Sequence, residues 1–240
     1  MKIVVLIVNC LNCSSTPLSY TNTRSVYTSE ERLKQLINSI TSVYKYIPQA
    51  DIIVCESSQL LDYQISELEH LPGYGTKLLM HTIDKFKDAQ RLAMYRDGPH
   101  KGLAELFQLC EVVESNMLSS YDYVFKLSGR YEITENFNID NVDFSKFYCF
   151  YFPEYTMFST VLYGVPMGTL ESSSDGGVPM GNIDMYHQIL KGIISRNLCT
   201  SIEGAIFQSI DTKLLKIVYS PEKFGARGLV SVIPNGKYEI

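Results

Sequence analysis

The 240-residue sequence has no tryptophan, no block of lysines and arginines, and no apolar run of membrane-spanning length. Each absence excludes something. Binding along a phosphate backbone needs a clustered basic face. With a formal net charge of -5 and scattered cations, nucleic acid is not the expected partner. A single nucleotide needs only one or two local cations and stays open. A helix crossing a bilayer needs roughly 18–20 consecutive apolar residues. The opening run from Lys2 to Val8 is too short for that and carries no cleavage-site pattern, so it reads as a buried strand and not as a signal peptide.

Metal-site spacing is lacking as well. Cys10-Leu11-Asn12-Cys13 follows the first apolar run, as thioredoxin-like chemistry or half a zinc site would require. No second Cys-x-x-Cys completes it, and the histidines (His70, His81, His100, His187) are scattered. Gly73-Tyr74-Gly75-Thr76-Lys77 lacks the four-residue gap between the glycines of a phosphate-binding loop. The six cysteines are too dispersed for a disulfide framework, which makes a reducing, cytoplasmic setting the default expectation.

What is present is ample core material: 45% hydrophobic and 20% charged residues exclude a disordered chain. Met1 to Val8 is a continuous Val/Ile-rich run, as in a central parallel strand buried on both faces. The long polar loop Asn9–Tyr27 is followed by a capping box, Thr28-Ser29-Glu30-Glu31. After it Leu33, Leu36, Ile37, Ile40, Val43 and Tyr44 repeat at helical spacing until Pro48. Asp51–Cys55 is the second strand. Leu60–Pro99 mixes a helix with a short strand around Lys77–Met80.

Leu103, Leu106, Phe107, Cys110 and Val113 mark another amphipathic helix, and Tyr121–Leu127 a third firm strand. An aromatic stretch, Phe147–Tyr163, reads as strands. A Ser/Gly loop follows at Ser172–Gly181, then helices near Asp184–Ser195 and Ser201–Asp211 and a strand at Leu214–Tyr219. The alternation predicts one α/β domain over residues 1–240, Rossmann-like, with a mostly parallel central sheet flanked by helices and a more irregular C-terminal part.

Three segments in this order resemble the nucleotide-binding half of GT-A-type nucleotide-sugar glycosyltransferases, of the stand-alone kind found in bacterial polysaccharide clusters and large DNA viruses. They are the strand end DIIVCESS, the helix start KGLAELFQL and the strand YDYVFKLSGRY. The resemblance covers roughly residues 1–135, leaving about 136–240 as the acceptor-side half. It implies transfer of a sugar from a nucleotide-sugar donor to the hydroxyl of a glycan or other acceptor. One departure is chemical. Where the family carries Asp-x-Asp, this chain has Ser128-Gly129-Arg130. Carboxylates hold a divalent cation that neutralises the leaving diphosphate. A serine and a glycine cannot, but an arginine fork donates two charge-assisted hydrogen bonds to phosphate oxygens. The expectation is metal-independent transfer with no cofactor, Mn²⁺ or Mg²⁺ at the lone carboxylate of Glu132 being the less favoured alternative.

Each candidate residue has a plain structural alternative. Asn9 ends the first strand, where open α/β sheets bind ligands, and is a contact to the base or a plain polar strand end. By the resemblance, Glu56 ends the second strand where a base or ribose binds; otherwise it is a solvated turn acid. Arg24, in the long loop, reaches a phosphate or is a surface arginine. Ser128 and Arg130 are donor contacts, with Arg130 also catalytic or else a structural ion pair. Lys101 opens a helix whose free N–H groups favour an anion. Glu203, at a late helix start, is the general base in an inverting reaction or ordinary helix-terminal chemistry. Tyr151 and Tyr155 stack on acceptor sugar rings or belong to a core strand. The competing reading from a different class is a catalytically inactive, transferase-like nucleotide- or sugar-binding protein. A nucleotidyltransferase is disfavoured because no paired metal-binding carboxylates are found.

Overall fold

The computed structural model describes residues 1–19, 21–71, 77–99, 101–152, 157–167, 183–195, 215–218, 225–229 and 237–239. Its first strand, β1 (Ile3–Asn9), is buried along its whole length. Alternate residues serve two cores. Ile3, Val5 and Ile7 face α1 (Ser29–Tyr46), while Val4, Leu6 and Val8 face the opposite layer. That is why the segment reads as an unbroken apolar run.

The N-terminus of α1 is fixed by the capping box. Glu31 N donates to Thr28 Oγ1 at 3.2 Å, and Thr28 N donates to Glu31 Oε2 at 2.8 Å. Leu33, Leu36, Ile40 and Val43 then pack on one face of the sheet. The opposite face is covered by α4 (Lys101–Glu114), with α3 (Ala89–Asp97) and α5 (Ile183–Ser195) beside it. Leu103, Leu106, Phe107 and Cys110 of α4 share that core with Leu92, Leu190 and Ile193.

The remaining strands of the main sheet are β2 (Asp51–Glu56), β3 (Leu78–His81), β4 (Tyr123–Ser128), β6 (Phe147–Phe152), β7 (Met157–Pro166) and β8 (Leu215–Val218). A short helix, α2 (Asp62–Glu69), lies between β2 and β3. The seven described strands run in the order β3-β2-β1-β4-β7-β6-β8. β3, β2, β1 and β4 are mutually parallel, β7 alone runs against its neighbours, and β6 and β8 return to the parallel direction. The fold is therefore α/β with a mostly parallel central sheet flanked by helices. No helix among the described residues is long and apolar enough to cross a membrane.

Sequence patterning misses a second, three-stranded sheet: β5 (Tyr131–Ile133), β9 (Ala226–Leu229) and β10 (Lys237–Glu239), in the order β10-β9-β5. Gly225 makes its junction possible. It has φ +74°, and a Cβ there would lie 2.2 Å from the Phe137 backbone nitrogen, so neither the conformation nor the space admits another residue. The second late helix expected at Ser201–Asp211 and the loop Ser172–Gly181 lie outside the described residues.

Candidate active site

Because β1, β2 and β4 are parallel and in register, their carboxyl ends bring three polar strand ends together. Asn9 lies opposite Glu56, and Val8 opposite Ser128. β2 and β4 leave β1 on opposite sides, so the chain order reverses there. A crevice at such a point is where open α/β sheets bind ligands. A cleft opens at this edge. Its cationic wall is Arg24 from the loop after β1, Arg32 from α1, Arg96 from the end of α3 and Arg130 after β4.

The floor is tightly built. Glu56 is fully buried and accepts from Asn9 Nδ2 at 2.8 Å, Leu11 N at 3.0 Å, Ser58 N at 2.8 Å and Ser58 Oγ at 2.5 Å. Burial raises its pKa, and these hydrogen bonds offset the rise only in part. These bonds use its carboxylate to join the loop after β1 to the end of β2, and Glu56 is not among the residues lining the cleft. Asn9 is drawn into the same network. Its amide holds Glu56, and its carbonyl accepts from Ser57 N at 3.2 Å and Gln108 Nε2 at 3.4 Å.

Gly129 permits this closeness. A Cβ there would lie 2.7 Å from Asn9 Oδ1. The middle residue of Ser128-Gly129-Arg130 is thus fixed by packing against the end of β1, a constraint with no trace in the local sequence.

The four arginines differ in their commitments. Arg24 is buried and structural. Its Nε donates to Thr16 O and its NH1 to Arg96 O, both at 2.7 Å, and its NH2 donates to Gly98 O, tying the long loop to the end of α3. Arg96 forks onto Asp97 (2.9 and 2.6 Å) and donates to Ser57 O at 2.8 Å. The hydrogen bonds it donates to Asp97 raise its pKa and lower that of Asp97. Arg32 donates to Cys10 O at 2.7 Å and Ser25 Oγ at 3.2 Å. A guanidinium carries five N–H donors, so these two bonds leave capacity for a ligand. Arg130 lines the cleft and lies 5.9 Å from the Tyr131 ring centroid. Burial first, and the Arg32 charge second, press its guanidinium below the ordinary value. Repulsion between like charges in a partly dry site is relieved by an anion between them.

Ser128 also lines the cleft, but its hydroxyl accepts from Lys126 Nζ at 2.7 Å. Lys126 is itself buried, ion-paired to Glu105 and 5.6 Å from the Tyr163 ring centroid. Glu105 is the one carboxylate among the described residues lining the cleft. Sequence reasoning missed Arg32, Arg96, Glu105 and Lys126. For Lys126 a signal existed: a lysine inside the apolar run Tyr-Val-Phe-Lys-Leu needs a buried partner.

Lys101 opens α4, so its backbone sits where expected, but its side chain lies outside the described part. Tyr151 is near the end of β6, at the same sheet edge as the cleft, with its side chain likewise outside. Tyr155 and Glu203 fall outside the described residues. Glu132 lines a separate recess with Asn38 and Arg227, accepting from Asn38 Nδ2 at 3.2 Å and pairing with Arg227 at 3.4 Å. Glu132 is therefore not among the residues lining the arginine cleft. Among the described residues, no three His, Cys, Asp or Glu side chains converge as a metal-holding group.

No family model and no curated protein matches the sequence. Among solved structures, the chain is similar to mouse xyloside xylosyltransferase 1 in its apo form. The TM-score is 0.49 and the identity 9%, over 91% of this chain and 85% of that one.

Proposed function

We propose that the protein is a glycosyltransferase that holds a nucleotide-sugar donor in the arginine-lined cleft and passes the sugar to an acceptor hydroxyl without a divalent metal. One observation carries the reading: Arg24, Arg32, Arg96 and Arg130 line one cleft at the carboxyl ends of β1, β2 and β4 in a chain whose net charge is -5. Such a cluster suits a compact polyanion, and a diphosphate is the polyanion that leaves in sugar transfer.

In this reading the nucleotide diphosphate lies between Arg130 and Arg32, which meet the charge developing on its oxygens as the sugar bond breaks. The strand end Ser128-Gly129-Arg130 does not fit a hard divalent cation, whose ligands are carboxylate or carbonyl oxygens. Lys101 adds an anion-favouring helix start. Glu203 remains the proposed base on the resemblance, and Tyr151 and Tyr155 the proposed acceptor contacts because aromatic rings stack on the apolar faces of sugars.

Turnover tests this directly. The protein is incubated in EDTA with UDP-, GDP-, CMP- and dTDP-sugars, with and without simple glycoside acceptors, and release of the free nucleotide is followed. Release from one donor, lost in Arg130→Ala, supports the proposal. Binding of a nucleotide with no turnover on any donor favours the inactive binding protein instead.

A further inference from the structure

The Cys-x-x-Cys after β1 has no part in that scheme, yet the fold places both thiols in the wall of the cleft. Cys10 and Cys13 line it beside Arg24, Arg32, Arg96 and Arg130. Their sulfur atoms are 3.6 Å apart, and Cys13 Sγ is also 3.5 Å from the Cys10 carbonyl oxygen. Both side chains are partly exposed, whereas Cys55, Cys110 and Cys149 are buried.

The residues between the thiols are pinned. Leu11 N donates to Glu56, Asn12 N donates to Ser58 Oγ at 3.0 Å, and Asn12 Nδ2 donates to Gln64 Oε1 at 3.0 Å. The turn therefore holds the sulfurs together instead of letting them drift apart. A disulfide has S–S of about 2.05 Å, so the pair must close by roughly 1.5 Å, a displacement that side-chain torsions supply.

We propose that Cys10 and Cys13 form a reversible disulfide inside the candidate donor cleft, made by exchange with an anionic low-molecular-weight disulfide that the surrounding arginines attract. The hydrogen bond shared with Cys13, together with burial, raises the Cys10 thiol well above its ordinary value, which leaves Cys13 as the first nucleophile. Cys13 gives its proton to solvent, and its sulfur attacks one sulfur of the small disulfide, releasing one thiolate and leaving a mixed disulfide. Cys10 then gives up its proton and attacks Cys13 Sγ, displacing the second thiolate. The protein pair is oxidised by two electrons and the small disulfide is reduced to two thiols.

Closure moves both sulfurs within the cleft wall, beside Arg32, whose Nε donates to the Cys10 carbonyl at 2.7 Å. The effect on ligand binding rests on the proposed function, whereas disulfide formation does not.

The full-length reduced protein is equilibrated with excess oxidised glutathione, quenched by alkylation and analysed by intact and peptide mass spectrometry. The expected product has lost two hydrogens within the Cys10–Cys13 peptide, carries no glutathione, and returns to the dithiol with reductant. Cys10→Ser is expected to trap a glutathione adduct on Cys13. Two thiols that still alkylate fully, or a wild-type protein that accumulates the stable adduct, would overturn the disulfide. UDP and GDP affinities are then compared for the two forms. A drop of about tenfold on oxidation is expected, the worth of one misplaced charge-assisted hydrogen bond. Equal affinities would overturn the gating role, while binding to neither form would count against the proposed function and leave the mass result standing.

Discussion

Replacing Glu56 tests whether the floor of the cleft is built as described. In Glu56→Ala, Asn9 Nδ2, Leu11 N and Ser58 N lose their acceptor in a site without solvent, while the Ser58 hydroxyl can turn elsewhere. Orphaning three buried N–H donors, less the relief of no longer burying the carboxyl, gives a loss of about 3–5 kcal/mol. Glu56→Gln keeps the shape but turns one donor against another, for a loss of about 1–2 kcal/mol.

The two variants also separate charge from packing. Burial raises the Glu56 pKa above its ordinary 4.5, so the folded state holds the proton more tightly than the unfolded chain does. The stability this confers is fully present below the ordinary value and is lost as pH rises through the raised folded-state value. The stability of wild type relative to Glu56→Gln must therefore fall as pH rises across that window. Comparing the two cancels the carboxyls with depressed pKa values, such as Asp97 and Asp143, whose contributions run the opposite way. With no tryptophan in the chain, urea unfolding followed by far-ultraviolet circular dichroism is the suitable assay. A Glu56→Ala loss below about 1 kcal/mol, or a wild-type advantage over Glu56→Gln that grows with pH, would refute the reasoning.

Gly129→Ala should displace the Asn9 side chain and destabilise the protein by about 1–3 kcal/mol, seen as a lower urea midpoint at unchanged slope. Lys126→Met should cost about 3–5 kcal/mol because it strands Glu105 beside a buried strand. Lys126→Met with Glu105→Gln should recover part of that loss, and a double-mutant cycle by urea unfolding measures the coupling. Arg24→Ala should release the loop after β1, so that hydrogen exchange accelerates at residues 14–25 while β1 itself stays protected.

Local pattern and distant pairing divide what the sequence makes legible. β1 is legible because both its faces are buried and its residues are uniformly apolar. The start of α1 is legible because a capping box is chemistry within four residues. The end of β4 is legible because Ser128-Gly129-Arg130 interrupts an apolar strand. β5 is not: three residues carry no period, and its partner strand is far along the chain, Tyr131 pairing with Gly228. The roles of Arg32 and Arg96 were hidden for the same reason, since the first reaches Cys10 and the second Ser57 across the top of the sheet. Glu56 was read correctly as a strand-end acid, but whether such an acid faces a ligand or its own loop depends on where Leu11 and Ser58 fold back.

The most direct test of the central claim is a titration calorimetry series of UDP and GDP against the protein in EDTA, then in Mn²⁺, for wild type and Arg130→Ala. Metal-free diphosphate recognition by arginines predicts that one nucleotide binds equally in EDTA and Mn²⁺, and that Arg130→Ala weakens it by about tenfold or more. Binding that requires Mn²⁺, or that is indifferent to Arg130→Ala, would contradict it.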